Sequence, residues 1–426
     1  MTAPDTPRAI DAVWRIESAR LIASLARMVG DVGIAEDLAQ DALVAALERW
    51  PESGVPDNPG AWLVATAKHR AIDLLRRRSL LERKHEQLGY ELEARQETAA
   101  QDLDAALDDH VGDDLLGLMF TACHPVLSTE ARVALTLRLV GGLTTEEIAR
   151  AFLVATPTIA QRIVRAKRTL AEAKVPFEVP RGGELAGRLS SVLEVLYLIF
   201  NEGYSATAGD DWMRPALCDD ALRLGRILAG LAPEEPEVHG LVALMEIQES
   251  RAKARLGPSG EPVLLLEQNR GRWDQLLGAA KRGEELGGAS GPYALQAAIA
   301  ACHARARAPE ETDWARIAAL YGELARAVPS PVVELNRAVA VSMAFGPAAA
   351  LERVEELKSD PQLKTYHLLP AVRGDLLDKL GRFEEARAEF ERAASLTRNA
   401  RERDVLLQRA AASSARSAGA TAAPRP

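Results

Sequence analysis

The chain has 426 residues, 47% of them hydrophobic, 27% charged and 4% aromatic, with a formal charge of −9. That length exceeds one ordinary core and implies two or three domains, and abundant Ala, Leu, Arg and Glu favour helices over strands. No stretch reaches ~18 uncharged apolar residues, the start MTAPDTPRAI lacks the basic-then-apolar order of a signal peptide, and Cys123, Cys218 and Cys302 lie too far apart for a disulfide framework or a metal knuckle. A reduced cytoplasmic protein with no metal, cofactor or membrane contact is expected.

Charge divides the chain. Residues 61–85 hold seven Lys/Arg against Asp73 and Glu82, and residues 86–114 reverse this with ten Asp/Glu against Arg95 alone. Such a one-signed polar run reads as a linker or a loosely held helix. Basic character returns between 130 and 174, and from about 185 the pattern is one of helical hairpins. The end, AAASSARSAGATAAPRP, reads as a disordered tail.

In chain order, GIAEDLAQDALVAALERW (33–50) predicts a helix with Ala39, Leu43, Ala46 and Trp50 on one face. Glu36, Asp37, Gln40 and Asp41 cluster on another, and no basic residue falls between Asp31 and Glu48. Such a patch repels DNA but suits docking to a basic protein, the plain alternative being acids favoured by the helix dipole. The Pro/Gly loop WPESGVPDNPG follows. Asn58 and Pro59 then cap and start a helix whose far end carries Arg76, Arg77 and Arg78, where basic side chains also suit the dipole.

Further on, Ser128 predicts a cap for a helix over about 129–140, stopped by Gly141 and Gly142. Thr144 and Glu147 have capping-box spacing for a short helix to about Phe152. Thr156 and Pro157 then open a longer helix over 157–174. This is helix-turn-helix punctuation. On the last helix Ile159, Ile163, Ala166 and Leu170 share an inward face. Thr158, Gln161, Arg162, Arg165 and Arg168 share the other, with Lys167 flanking, a set suited to phosphates and base edges in a major groove. An ordinary amphipathic helix with solvated arginines is the alternative.

Together AEDLAQDAL, AWLVATAKHRAIDLLRRR and ALTLRLVGGLTTEEIARAF…TIAQRIVRAKRTL resemble conserved regions two and four of bacterial sigma-70 factors, in particular the extracytoplasmic-function group. The later stretches LYLIFNEGYSA, GPYALQAAIAACHA, DWARIAALY and SPVVELNRAVAV resemble the subgroup with a long tetratricopeptide-like C-terminal extension. The resemblance implies an all-α chain. Its parts are a region-two domain (8–80), an acidic linker (81–111), a region-four domain (112–177), a helical-repeat regulatory extension (185–410) and a disordered tail (411–426). It also implies core RNA polymerase and promoter DNA as partners. Glu36, Asp37, Gln40 and Asp41 would grip a coiled coil of the largest polymerase subunit. The loop Pro51 to Asn58 would capture a flipped minus-ten base. Trp62, His69, Arg70, Asp73, Arg76, Arg77 and Arg78 would open and contact the strands. Thr158, Gln161, Arg162 and Arg165 would read the minus-35 element, with Arg168 on the same DNA-facing side. Two positions depart from the family: His69 stands where Asn is usual, and Leu153 stands in the turn where Gly is common, implying a turn without a positive φ.

In the C-terminal half, LGRFEEARAEFERAASL places Gly381, Ala386, Phe390 and Ala393 at tetratricopeptide spacings, and Gly346 precedes Gly381 by about one ~34-residue period. Such hairpins present a surface for a regulatory protein or ligand. Asn201, Glu202, Tyr204, Asp210, Asp211 and Arg214 form a polar, aromatic stretch, read either as lining a small-molecule pocket or docking site or as a satisfied loop. No Ser-His-Asp set, P-loop or paired-carboxylate signature occurs, so no enzyme is expected. A sigma factor modulated by its own C-terminal domain leads. A non-sigma helix-turn-helix regulator with a repeat-type sensor would not need 33–78, and a helical scaffold would not be retained on heparin.

Overall fold

A computed structural model of the chain describes residues 6–86, 111–152, 154–206, 208–209, 211–257, 262–273 and 291–422. The fold is all-α, as the composition implies, with one short parallel strand pairing, and it divides into two compact units, Met1–Leu198 and Ile199–Pro426.

The first unit begins with α1 (Thr6–Val29), α2 (Val32–Ser53) and α3 (Pro59–Glu86). Asp31 starts α2 because its carboxylate accepts the N–H groups of Gly33 and Ile34 at 2.7 and 3.0 Å. The three helices bury Leu21, Leu25, Ala39, Trp50, Leu63 and Ala67. Helix α2 runs through Pro51 to Ser53, into the segment expected to be loop. So near a helix end Pro51 forfeits a single i→i−4 bond, and Gly54, at φ +82°, closes the helix by donating to the Trp50 carbonyl at 3.0 Å. Asn58 accepts the Ala61 N–H at 3.1 Å and so caps α3, as its position beside Pro59 implies.

After residues 87–110, which lie outside the described set and hold most of the expected acidic linker, come α4 (Val111–Ala122), α5 (Thr129–Leu139), α6 (Thr145–Ala151) and α7 (Thr156–Glu172). Ser128 caps α5, and Thr144 and Glu147 exchange both bonds of a capping box on α6. Thr156 differs from expectation: it is the first residue of α7, and the cap position falls on Ala155, which has no side-chain bond to give. Pro157 fits there because first-turn N–H groups lack intrahelical partners anyway. Leu153 lies outside the described residues. Helix α8 (Gly183–Tyr204) follows, and its first half packs on this unit, with Arg188 donating to the Phe120 carbonyl (2.9 Å) and Ser191 to that of Cys123 (2.7 Å). The division between the units falls within α8 rather than at residue 185.

The second unit holds α9 (Pro215–Leu231), α10 (Pro236–Glu249), α11 (Pro292–Arg305), α12 (Trp314–Ala327), α13 (Pro331–Phe345), α14 (Pro347–Leu357), α15 (Leu368–Lys379), α16 (Phe383–Leu396) and α17 (Ala400–Ala422). Successive helices from α11 onward bury one shared core that includes Leu295, Ile317, Leu335, Val354, Leu377 and Phe390. The hairpin turns at Gly346 and Gly381 have φ of +99° and +76°, a conformation that side chains resist. On α15, a Cβ at Gly374 would come within 2.9 Å of the Phe390 ring, so glycine lets the two helices approach. The strands β1 (Ala208–Gly209) and β2 (Arg398–Asn399) pair in parallel and tie the loop after α8 to the start of α17. The expected disordered tail is corrected in part: α17 continues to Ala422, Ser413 is fully buried, and its hydroxyl donates to Asp378 at 2.8 Å. Alanine is the best helix former, and Asp378 offers this polar, Ala-rich segment a partner that its own sequence does not reveal.

Candidate nucleic-acid interface and acidic face

Helix α7 sorts as its spacing predicts. Ile159, Ile163, Ala166 and Leu170 are buried, while Thr158, Gln161, Arg165 and Arg168 are exposed and Arg162 is half-buried. Arg168 reaches Glu172 one turn on at 3.4 Å, an exposed pair of small energetic weight. A groove of about 430 Å³ between the α5 N-terminus and α7 is lined by Ser128, Glu130, Thr158, Gln161, Arg162 and Arg165. The helix thus offers hydroxyl, amide and guanidinium groups along one open side.

The acidic cluster on α2 does not remain whole. Asp37 and Asp41 are exposed and Gln40 is half-buried, but Glu36 is only 3% exposed. Its Oε1 accepts from Arg138 Nε at 2.6 Å and from Gln40 Nε2 at 2.7 Å, and its Oε2 pairs with the Lys167 ammonium. The expected four-residue surface is therefore three, with Glu36 turned inward. Burial by itself would raise the Glu36 carboxyl, but Lys167 and Arg138 outweigh it and hold it below the ordinary range. A second buried carboxylate, Asp114 on α4, meets Arg27 of α1 at 2.8 Å. These two buried carboxylates, in three ion pairs, join α1 and α2 to α4, α5 and α7. Sequence reasoning missed Arg138 and Arg27 altogether and saw Lys167 only as a flanking charge. Their partners lie far along the chain, so no local pattern exposes them.

On α3, His69, Asp73, Arg76, Arg77 and Arg78 are exposed and Arg70 is half-buried. Arg70 meets Asp41 at 3.3 Å, so the basic side of α3 adjoins the acidic side of α2. Trp62 is half-buried and packs edge-on against Trp50, ring centres 5.3 Å apart. That contact fixes the start of α3 beside the exposed segment from Pro51 to Gly54. Trp50–Trp62 and Asp41–Arg70 thus bring the family-implied stretches of α2 and α3 side by side, with Asp37, Asp41, His69, Asp73 and Arg76 to Arg78 exposed.

In the second unit the polar stretch after α8 bonds largely to itself. Glu202 pairs with Arg214, the Arg214 N–H donates to the Gly203 carbonyl at 2.7 Å, and the Asn399 amide holds the carbonyls of Ala206 and Asp211 at 3.1 and 3.0 Å. Asn201 is half-buried at the end of α8, the Tyr204 ring lies under Arg255, and Asp210 falls outside the described residues. Among the described residues, no three His, Cys, Asp or Glu form a metal-holding group, and no helix is long and apolar enough to cross a membrane.

Comparison with known proteins bears on both units. Residues 16–80 match the family model Sigma-70 region 2, and residues 118–170 match Sigma-70, region 4. Residues 188–290 match a Family of unknown function (DUF6596). A Rhizobium meliloti (strain 1021) relative, Uncharacterized protein R00370, is 44% identical over 388 residues, 89% of this chain and 90% of that protein. The Probable ECF RNA polymerase sigma factor SigI of Mycobacterium tuberculosis (strain CDC 1551 / Oshkosh) is 28% identical over 170 residues, 40% of this chain and 57% of its own length. No solved structure matches the chain.

The buried carboxylate makes a specific expectation for stability. Glu36 is held below its ordinary value of 4.5 in the folded chain, so its contribution is complete above about pH 4.5 and is lost as pH falls through the lower folded value. Glu36→Gln removes charge-assisted bonds and should lower the unfolding free energy at pH 7 by about 2–3 kcal/mol. It should also flatten the acid-side loss of stability. Urea titrations of both forms from pH 7 downward check this, and parallel pH profiles would show that Glu36 carries no such linkage.

Proposed function

We propose that this chain, which carries matches to Sigma-70 region 2 and Sigma-70, region 4 and is similar over nearly its whole length to the Rhizobium meliloti relative, is a cytoplasmic sigma factor that brings core RNA polymerase to specific promoters. The observation that carries the reading is the outward side of α7, where Gln161, Arg162, Arg165 and Arg168 stand free of the hydrophobic core within the region-four match. Guanidinium and amide groups in that order suit guanine and adenine edges in a major groove, with neighbouring phosphates supplying salt-sensitive affinity. In this reading Thr158, Gln161, Arg162 and Arg165 read the minus-35 element. The segment Pro51 to Asn58, with Trp62, His69, Arg70, Asp73 and Arg76 to Arg78, engages the minus-ten strand. Core polymerase docks on Asp37, Gln40 and Asp41, and also on Glu36 once its carboxylate leaves Arg138 and Lys167. The region-two match over 16–80 favours this reading over a simple helix-turn-helix regulator, which has no use for that domain.

The second unit is proposed to modulate this activity as a tetratricopeptide-like helical-repeat domain. Its paired helices, turning at Gly346 and Gly381, support a protein-contact or ligand-responsive role. Tethering gives such a domain a high effective concentration at its own sigma regions, so weak contacts suffice.

Two experiments separate the proposed surfaces. Reversing Asp37 and Asp41 to Lys together should abolish co-purification with core polymerase while leaving helix content unchanged, since both side chains are exposed. Undiminished association would remove α2 from the docking surface. Arg162→Ala and Arg165→Ala should each weaken binding to a cognate upstream element by about 1–3 kcal/mol and relax preference at one base pair. Equal weakening on all sequences would reduce these arginines to phosphate contacts.

A further inference from the structure

The second unit contains a feature that the sigma reading does not use: three buried arginines with no carboxylate partner among the described residues. Arg251, Arg255 and Arg270 are 8%, 5% and 8% exposed. Arg255 lies 3.5 Å from the ring centre of Tyr204 and 4.5 Å from that of Trp212, and it donates to the Tyr204 carbonyl. Arg251 and Arg270 bear on one indole, that of Trp273, at 5.0 and 5.1 Å. Arg270 is anchored by the carbonyls of His303 and Ala306 and by the Thr312 hydroxyl, each at 2.9 Å. Among the described residues, the Arg251 side chain makes one hydrogen bond, a long one of 3.3 Å to Gln248 Oε1.

Buried guanidiniums are ordinarily matched by buried anions, because removing a charge from water is costly unless a partner compensates it. Here Glu249, the carboxylate that acts on Arg255, does not serve. Burial raises the Glu249 carboxyl towards its neutral form, and its hydrogen-bond partner is the Cys218 thiol. Glu310 and Glu311 attract Arg270 only at longer range. His303 adds no charge of its own, since burial, and then Arg251 and Arg270, push it down to about 4. Among the described residues, polar atoms without partners include Arg251 Nε, Arg270 Nε and Trp273 Nε1 as donors, and Nδ1 of His303, a ring close enough to feel both arginines. Native interiors leave few such atoms unpaired, and a group of them around like charges marks where something else binds.

We propose that this arginine–tryptophan cluster binds a small phosphate-bearing anion, held by Arg251 and Arg270, which share the Trp273 indole. Phosphate fits better than carboxylate. A dianion answers the surplus positive charge, several oxygens accept from the Nε–H and indole N–H groups, and a protonated phosphate oxygen can donate to His303 Nδ1, which a carboxylate cannot do. The cluster spans Arg251, Arg255, Arg270 and Trp273 within the stretch of unknown function, so the site gives that stretch a ligand class independently of the sigma assignment. A phosphorylated metabolite bound there would be the signal through which the second unit responds.

The test uses the full chain and inorganic phosphate as probe, at constant ionic strength set with chloride, with succinate as the dicarboxylate control. Tryptophan fluorescence and the thermal midpoint are read together. Saturable quenching and a rising midpoint with phosphate, both absent with succinate, are expected. Arg251→Gln should weaken the phosphate response at least tenfold without lowering the phosphate-free midpoint, because it removes a charge that repels its neighbours. Arg270→Lys keeps the charge but loses the Nε donor and should also weaken the response. No saturable response in the unaltered chain, a response of equal size in the variants, or saturation by succinate in place of phosphate would each overturn the proposal.

Discussion

Glu36 is the interaction on which the first unit depends. A carboxylate 3% exposed stays ionised when cations and hydrogen-bond donors replace its water, and here Arg138 and Lys167 supply the charge and Gln40 a further N–H. Those donors come from α5, α7 and α2 itself. One buried carboxylate therefore ties the region-two and region-four parts of the unit together. Arg27 and Asp114 repeat the arrangement between α1 and α4. Because the pairs are largely buried, salt screens them less than it would an exposed pair such as Arg70 and Asp41.

This closure sorts the cations of α7, which are Arg162, Arg165, Lys167 and Arg168. Lys167 turns inward to Glu36, and the three arginines stay on the open side. An acidic chain thus concentrates basic side chains on one short helix for two separate reasons, one structural and one proposed as DNA contact. The same closure divides the acids of α2. Asp37 and Asp41 stay available, while Glu36 has partners that any docking protein must displace. Under the proposed role, polymerase binding and closure compete for one carboxylate, and the free chain is held back until that exchange occurs.

Local signals were legible in the sequence where the physics is local. Ser128, the Thr144–Glu147 box and the four apolar positions of α7 each act within one or two helical turns, and each appears where its spacing implies. Asn58 does the same for α3. What the sequence conceals is pairing across distance. Glu36 and Arg138 lie 102 residues apart, so the acid reads as surface until the fold joins them. Ser413 reads as tail because Asp378, its partner, belongs to another helix. The buried arginines of the second unit carry no local signal for the same reason. Arginine is mostly exposed, and no short motif announces that Trp273 or His303 will cover it.

The central claim is that the chain starts transcription with core polymerase. Run-off transcription from a genomic promoter library, with purified core and the full chain, tests it most directly. Discrete start sites that appear only when the chain is added, and that share an upstream element, are the expected result. Identical transcripts with and without the chain, from core shown to be active with another sigma factor, would contradict it.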